Sequence, residues 1–355
     1  RILFFNFDDE RIHLDRYDMD LVLQAYREMY PDIKMKNVFM FFDEIQMCDD
    51  WEQFVRRVYD SETKNIFISG SNSKLLATDI ATSLRGRTLP FEVFPLSFQE
   101  SCNFNKINID IHYAPSKARL IHSFNEFLYK GGFPEIVLSP NINNIEILQE
   151  YYYVMLYKDL IERYRISNIP ALKYFIRRLL ANLCKPTSIN KIYNEIKSAG
   201  ITVSKNSLYE FIEYTESIFM FFKLLRFDKS FVKETLTDKK YYFIDNGLYS
   251  ALHANNSENK GQLFENSIFL WLRTKKYFQR GLHFYKGIKE CDFILIDRQK
   301  PEEIIQVCFD VSEPETLKRE IAGLMEASDY LNCNNLKIIT FNSEEEIKID
   351  KKIVK

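Results

Sequence analysis

Glycine and proline are scarce in this 355-residue chain, ten of each, which excludes a loop-rich, low-complexity or collagen-like protein. No apolar run reaches the roughly 18 residues that a bilayer-crossing helix needs, so no membrane partner is expected. The six cysteines (Cys48, Cys102, Cys184, Cys291, Cys308 and Cys333) include no C-x-x-C pair and have no histidine close by. That spacing fits neither the common zinc patterns nor a disulfide framework, so buried, reduced thiols in a cytoplasmic protein are expected. Charge of one sign is also missing. The net charge of -2 gives no global field toward nucleic acid and leaves only a local basic face to provide one.

What is abundant is aromatic. Thirty Phe and 21 Tyr need burial, and a chain this long divides into two or three cores. Short apolar strands at 2–7, 38–42 and 66–69 alternate with helical spacing at 14–29 and 51–59. Strand–helix alternation of this kind predicts a parallel sheet with helices on its faces. Five consecutive apolar residues at 38–42 suggest a strand buried on both sides. From 116 to 165 the pattern is helical around Gly131-Gly132-Phe133-Pro134, which suits a packing turn. Helical stretches at 172–184, 188–198 and 204–219, a Gly200 turn, and strands at 221–227 and 239–245 predict a winged helix-turn-helix. The remainder reads as a second α/β unit, with helices at 262–277 and 315–331 and strands at 283–286, 291–296, 303–308 and 337–341. The first residues, Arg-Ile-Leu-Phe-Phe-Asn-Phe, read as a strand already under way, so the natural N-terminus is expected further upstream.

Chemistry concentrates where the second strand ends. Val38-Phe39-Met40-Phe41-Phe42 runs into Asp43-Glu44, a pattern that resembles the Walker B strand of P-loop ATPases. A buried strand of that kind delivers one carboxylate to the Mg²⁺ of a nucleotide and a second to the attacking water. By this reading Asp43 is the metal-side acid and Glu44 the base. The plainer reading makes both acids caps of the following segment. About 25 residues on, Ile66-Phe67-Ile68-Ser69-Gly70-Ser71-Asn72 ends a strand in small polar residues. Ser71 or Asn72 would there sense the γ-phosphate, unless the stretch is simply a turn.

Ser83-Leu84-Arg85-Gly86-Arg87-Thr88 follows, and then Pro95-Leu96-Ser97-Phe98. The order of these motifs resembles a prokaryotic family of AAA/STAND-like P-loop ATPases with a C-terminal domain of unknown function. The resemblance implies that Arg85 or Arg87 contacts phosphate, a task suited to a permanent charge on a planar fork. A salt bridge to a nearby acid is the alternative. It also implies ATP and Mg²⁺ as cofactors and a nucleotide-dependent switch as the function. One departure is large: the sequence contains no G-x-x-x-x-G-K-[ST] loop. Without that loop's amides and lysine little phosphate affinity remains, so an inactive chain and an active parent protein are expected.

The last part resembles the PD-(D/E)xK nuclease fold through Glu265 and Asp292. Gln306 and Cys308, however, stand where that fold's glutamate and lysine should be, so a scaffold without catalysis is expected. The expected fold class is thus multidomain α/β. It comprises a P-loop ATPase core at 1–115, a helical linker at 116–170, a winged helix at 171–250 and a degenerate nuclease-like domain at 251–355. A nucleotide is the expected partner, while DNA, a protein and self-association stay open. The rival reading is a DNA-binding winged-helix protein with a vestigial ATPase.

Overall fold

The structure is a computed structural model that describes residues 1–9, 11, 18–71, 84, 86–139, 144–230, 234, 237–253, 259–275, 281–298, 300–341, 343–349 and 352–355. It divides into two compact units. The first is Arg1–Glu92 with the short stretch Ser217–Phe219, and the second holds the rest.

In the first unit β1 (Ile2–Asn6), α1 (Met19–Met29), β2 (Phe39–Asp43), α2 (Trp51–Ser61) and β3 (Ile66–Ser69) follow one another. The three strands are parallel in the order β1-β2-β3. Two crossovers of the same hand put both helices on one face. There Met19, Leu23 and Tyr26 of α1 and Trp51, Phe54, Val55 and Val58 of α2 pack on Leu3, Val38, Met40 and Phe42. The other face is aromatic and open: Phe4 is 65%, Phe39 44% and Phe67 50% exposed, and Phe41 stacks on Phe67 at 4.7 Å between ring centroids. The expectation of a strand buried on both sides is therefore corrected. Burial along β2 alternates, because the described helices cover one side only.

The second unit carries α3 (Phe98–Phe104), α4 (Ala114–Lys130), α5 (Pro134–Leu138) and α6 (Asn144–Val154), the last running into a π-helical turn at Met155–Glu162. Three more helices follow, α7 (Ile169–Ala181), α8 (Ile189–Ser198) and α9 (Lys205–Ser217). After them come β4 (Phe221–Arg226), β5 (Lys240–Phe243), α10 (Asn246–Ala251), α11 (Lys260–Thr274), β6 (Leu282–Lys286), β7 (Glu290–Asp297) and β8 (Lys300–Cys308). The chain ends with α12 (Pro314–Leu331), β9 (Leu336–Thr340), β10 (Ile347–Ile349) and β11 (Lys352–Val354).

One eight-stranded sheet has the order β10-β11-β9-β8-β7-β6-β4-β5. β4 and β5 form the antiparallel ribbon expected after the three helices. β4 also pairs in parallel with β6, so the ribbon is one edge of the larger sheet. No helix among the described residues is long and apolar enough to cross a membrane.

Glycines fix the junction of α4 with α10. Gly131 has φ +73°, and a Cβ there would lie 2.1 Å from a carboxylate oxygen of Asp245. A Cβ on Gly132 would lie 2.0 Å from the Leu96 carbonyl oxygen, and one on Gly247 2.0 Å from that of Lys130. Such approaches are open only to glycine. Asp245 is 3% exposed and accepts from the backbone N–H of Gly132 at 2.7 Å and of Leu248 at 2.9 Å. Burial pushes its carboxyl up to about 6, against the pull of those N–H donors.

Candidate functional site

Parallel sheets gather chemistry at the carboxyl ends of their strands. The strand register aligns Asn6, Asp43 and Ser69 in one row at that edge. Oδ1 of Asp43 accepts from the Ser69 hydroxyl at 2.6 Å. The next residue departs from regular backbone: Glu44 has φ 49°, a left-handed conformation that is uncommon for a residue with a side chain. Its N–H donates to the Ser69 carbonyl at 3.0 Å. Its carboxylate turns to the Ser71 hydroxyl at 3.4 Å and the Ser71 N–H at 3.5 Å, and also accepts from the Gln46 amide. Non-glycine residues in strained backbone concentrate at functional sites.

The structure thus brings Asp43, Glu44 and Ser71 together. Asn72 and Arg85 lie outside the described residues. Arg87 is placed elsewhere in the unit: its guanidinium pairs with Asp60 at 2.5 Å and lies 5.4 Å from the Tyr59 ring centroid, by the end of α2.

Mg²⁺ ordinarily takes one or two carboxylates and completes its shell with water and substrate phosphates. One carboxylate flanked by a serine hydroxyl at an open strand edge fits that habit. Among the described residues no group of three or more His, Cys, Asp or Glu forms an all-protein cage.

A second charged centre lies in the larger unit. Glu265 on α11 and Asp292 on β7 meet there, joined by Lys240, Tyr242 and Glu290, which sequence reasoning missed. The Lys240 ammonium is 2.8 Å from Asp292, 2.9 Å from Glu290 and 3.0 Å from Glu265. The Tyr242 hydroxyl donates to Glu265 at 2.8 Å. Burial, then the neighbouring Asp292 charge, pushes the Glu265 carboxyl up, although Lys240 and Tyr242 oppose the shift. Burial alone would lower the Lys240 ammonium, but the three carboxylates outweigh it and hold it well above its ordinary value.

Gln306 bridges rather than binds a cation. Its carbonyl accepts from the Asp292 N–H at 3.3 Å and its amide donates to Glu320 at 2.6 Å. The Cys308 thiol donates to the Asp310 carbonyl at 3.2 Å. One signal for Lys240 was available: a lysine beside Tyr241-Tyr242-Phe243 in a short apolar strand either faces solvent or is paired in the interior.

The α9 face that would read DNA exposes Lys205, Asn206, Tyr209, Glu210 and Glu213. Lys185, Lys191 and Lys197 lie nearby in sequence, and the basic set is diluted by acids.

Residues 1–102 match the family described as an AAA domain, and residues 121–259 match a domain of unknown function (DUF8612). An uncharacterized protein of Methanocaldococcus jannaschii is 39% identical over 361 residues, covering 99% of this chain and 78% of that protein. An uncharacterized protein of Haemophilus influenzae is 29% identical over 321 residues, covering 88% and 75%. A further Methanocaldococcus jannaschii protein is 26% identical over 172 residues, covering 48% and 32%.

Proposed function

We propose, from the premise that this chain belongs to the family of the 39%-identical archaeal relative, with an AAA domain leading into a domain of unknown function, that the full-length protein binds Mg²⁺-ATP at the carboxyl ends of β1–β3 and hydrolyses it as a conformational switch. The observation that carries this reading is the adjacency of two acids with different surroundings. Asp43 ends the central strand β2 and accepts from Ser69, while Glu44, in left-handed backbone, reaches Ser71.

Mg²⁺-ATP supplies a phosphoryl group whose charge the metal partly neutralises. The residues of this chain do the rest. Asp43 would hold the metal side, Glu44 would orient and deprotonate the attacking water, and Ser71 or Asn72 would sense the γ-phosphate. Arg85 or Arg87 would be the phosphate-contacting arginine, and Arg87 would have to leave Asp60 to serve. Both outer strands, β1 and β3, pair on one side only among the described residues. Together with the open aromatic face, those edges leave room for a further strand and helix carrying a glycine-rich loop. Without such a loop this chain alone is expected to hold ATP weakly.

The helices α7–α9 and the β4–β5 ribbon serve as a packing module in this reading. The sheet behind them is a PD-(D/E)xK-like scaffold without nuclease chemistry, because Gln306 and Cys308 replace an acid and a lysine.

The metal role of Asp43 has a direct test in full-length protein with Asp43→Asn. Mg²⁺ should tighten ATP binding to the wild type by roughly tenfold, about 1.4 kcal/mol, and leave the variant unchanged. An equal Mg²⁺ response in both would remove Asp43 from the metal site.

A further inference from the structure

We infer that Lys240 is a built-in cation that closes the Glu265–Glu290–Asp292 centre to divalent metal ions. The inference is independent of the nucleotide reading and concerns only the larger unit.

The first support is stoichiometric. An ammonium has three donors and no acceptor, and Lys240, 1% exposed, finds one carboxylate for each of its three hydrogens within 3.0 Å. No donor is left over for water.

The second is that the acids are also held by other groups. The second oxygen of Asp292 accepts from the Val307 N–H at 3.0 Å, Tyr242 fixes Glu265, and Lys286 reaches the second oxygen of Glu290 at 2.9 Å. The carboxylates therefore converge on one point by virtue of the sheet and α11, and Lys240 fills that point.

The third is charge. Three buried carboxylates without a cation would repel and take up protons. On β8 the residue whose side chain meets the Asp292 N–H is the neutral Gln306, which adds no further negative charge.

A divalent ion needs oxygens at 2.0–2.6 Å, in the same space as the ammonium, and two cations cannot share it. The three carboxylates are of the donor type that a divalent ion takes, but with lysine as their resident cation they form no metal site as they stand.

The test uses Mn²⁺ alone, read by the loss of free-ion EPR signal. Full-length protein carries Asp43→Asn, so that metal binding at the nucleotide site does not contribute. In that background no Mn²⁺ binding that depends on Asp292 is expected. Adding Lys240→Ala should create one Mn²⁺ site, at least about tenfold tighter than any in the parent, and adding Asp292→Asn should abolish it.

A Lys240→Ala protein that is unfolded without metal should regain its fold in Mn²⁺. Lys240→Ala with Glu290→Gln leaves one charge fewer uncompensated and should fold without metal. Mn²⁺ binding by the parent that is lost in Asp292→Asn would overturn the inference, because lysine would not exclude the metal. So would the absence of Mn²⁺ binding in both the Lys240→Ala and the Lys240→Ala/Glu290→Gln proteins.

Discussion

In the full-length protein Glu44→Gln is expected to lower ATP turnover by on the order of a hundredfold or more, the usual contribution of a positioned general base. ATP affinity should stay within about threefold, because the change touches the step and leaves the bound ground state alone. Glutamine keeps the shape of the side chain and its acceptor oxygen, so the contacts to Ser71 and the left-handed backbone at Glu44 need not change. What it removes is the ability to take a proton from water. Asp43→Asn acts differently, through Mg²⁺-dependent affinity, so the two acids are separable by experiment. Parallel measurements of phosphate release and of equilibrium ATP binding decide the matter. A Glu44→Gln protein that turns over at the wild-type rate would return both acids to the plainer role of capping the segment after β2.

The second large effect is structural. Gly132→Ala should destabilise the larger unit by about 3 kcal/mol, lowering its thermal midpoint by roughly 6–12 °C. The added carbon would fall 2.0 Å from the Leu96 carbonyl oxygen, which is backbone and cannot swing aside. The Gly132 peptide is also held at both ends. Its N–H donates to Asp245 at 2.7 Å and its carbonyl accepts from the Leu96 N–H at 2.7 Å. Moving that peptide takes a donor from the buried Asp245 carboxylate, a loss of about 1–3 kcal/mol in itself.

Gly261→Ala in α11 is the matched control, since a Cβ there meets nothing within 4 Å. It should be neutral or stabilising by up to about 1 kcal/mol. Equal midpoints for the two variants would show that the Gly132 junction carries no special constraint.

The β2 strand and its terminal acids were legible because a short apolar run ending in Asp-Glu has few folded solutions. The alternation of strands with helices gave the parallel sheet for a similar reason. Its open aromatic face was not legible: five apolar residues in a row carry no mark of which side a helix covers. The pairing of β4 with β6 was hidden too, since period-two patterning reveals a strand without naming its neighbours. The short β10–β11 hairpin went unread among charged residues.

Glu265 and Asp292 could be found from the resemblance. For Lys240 the sequence offers only its place in a short apolar strand, not its partners, since Glu265 and Asp292 stand 25 and 52 residues away. For Arg87 the salt-bridge alternative is the one the structure shows, although its partner Asp60, 27 residues back, could not be named from sequence.

The most direct measurement is phosphate release from ATP by the full-length protein, with Mg²⁺ and with EDTA, beside the 355-residue chain alone. Mg²⁺-dependent turnover by the full-length protein, and none above background by the isolated chain, is the expected result. Absence of turnover in the full-length protein, or equal turnover in both, would contradict it.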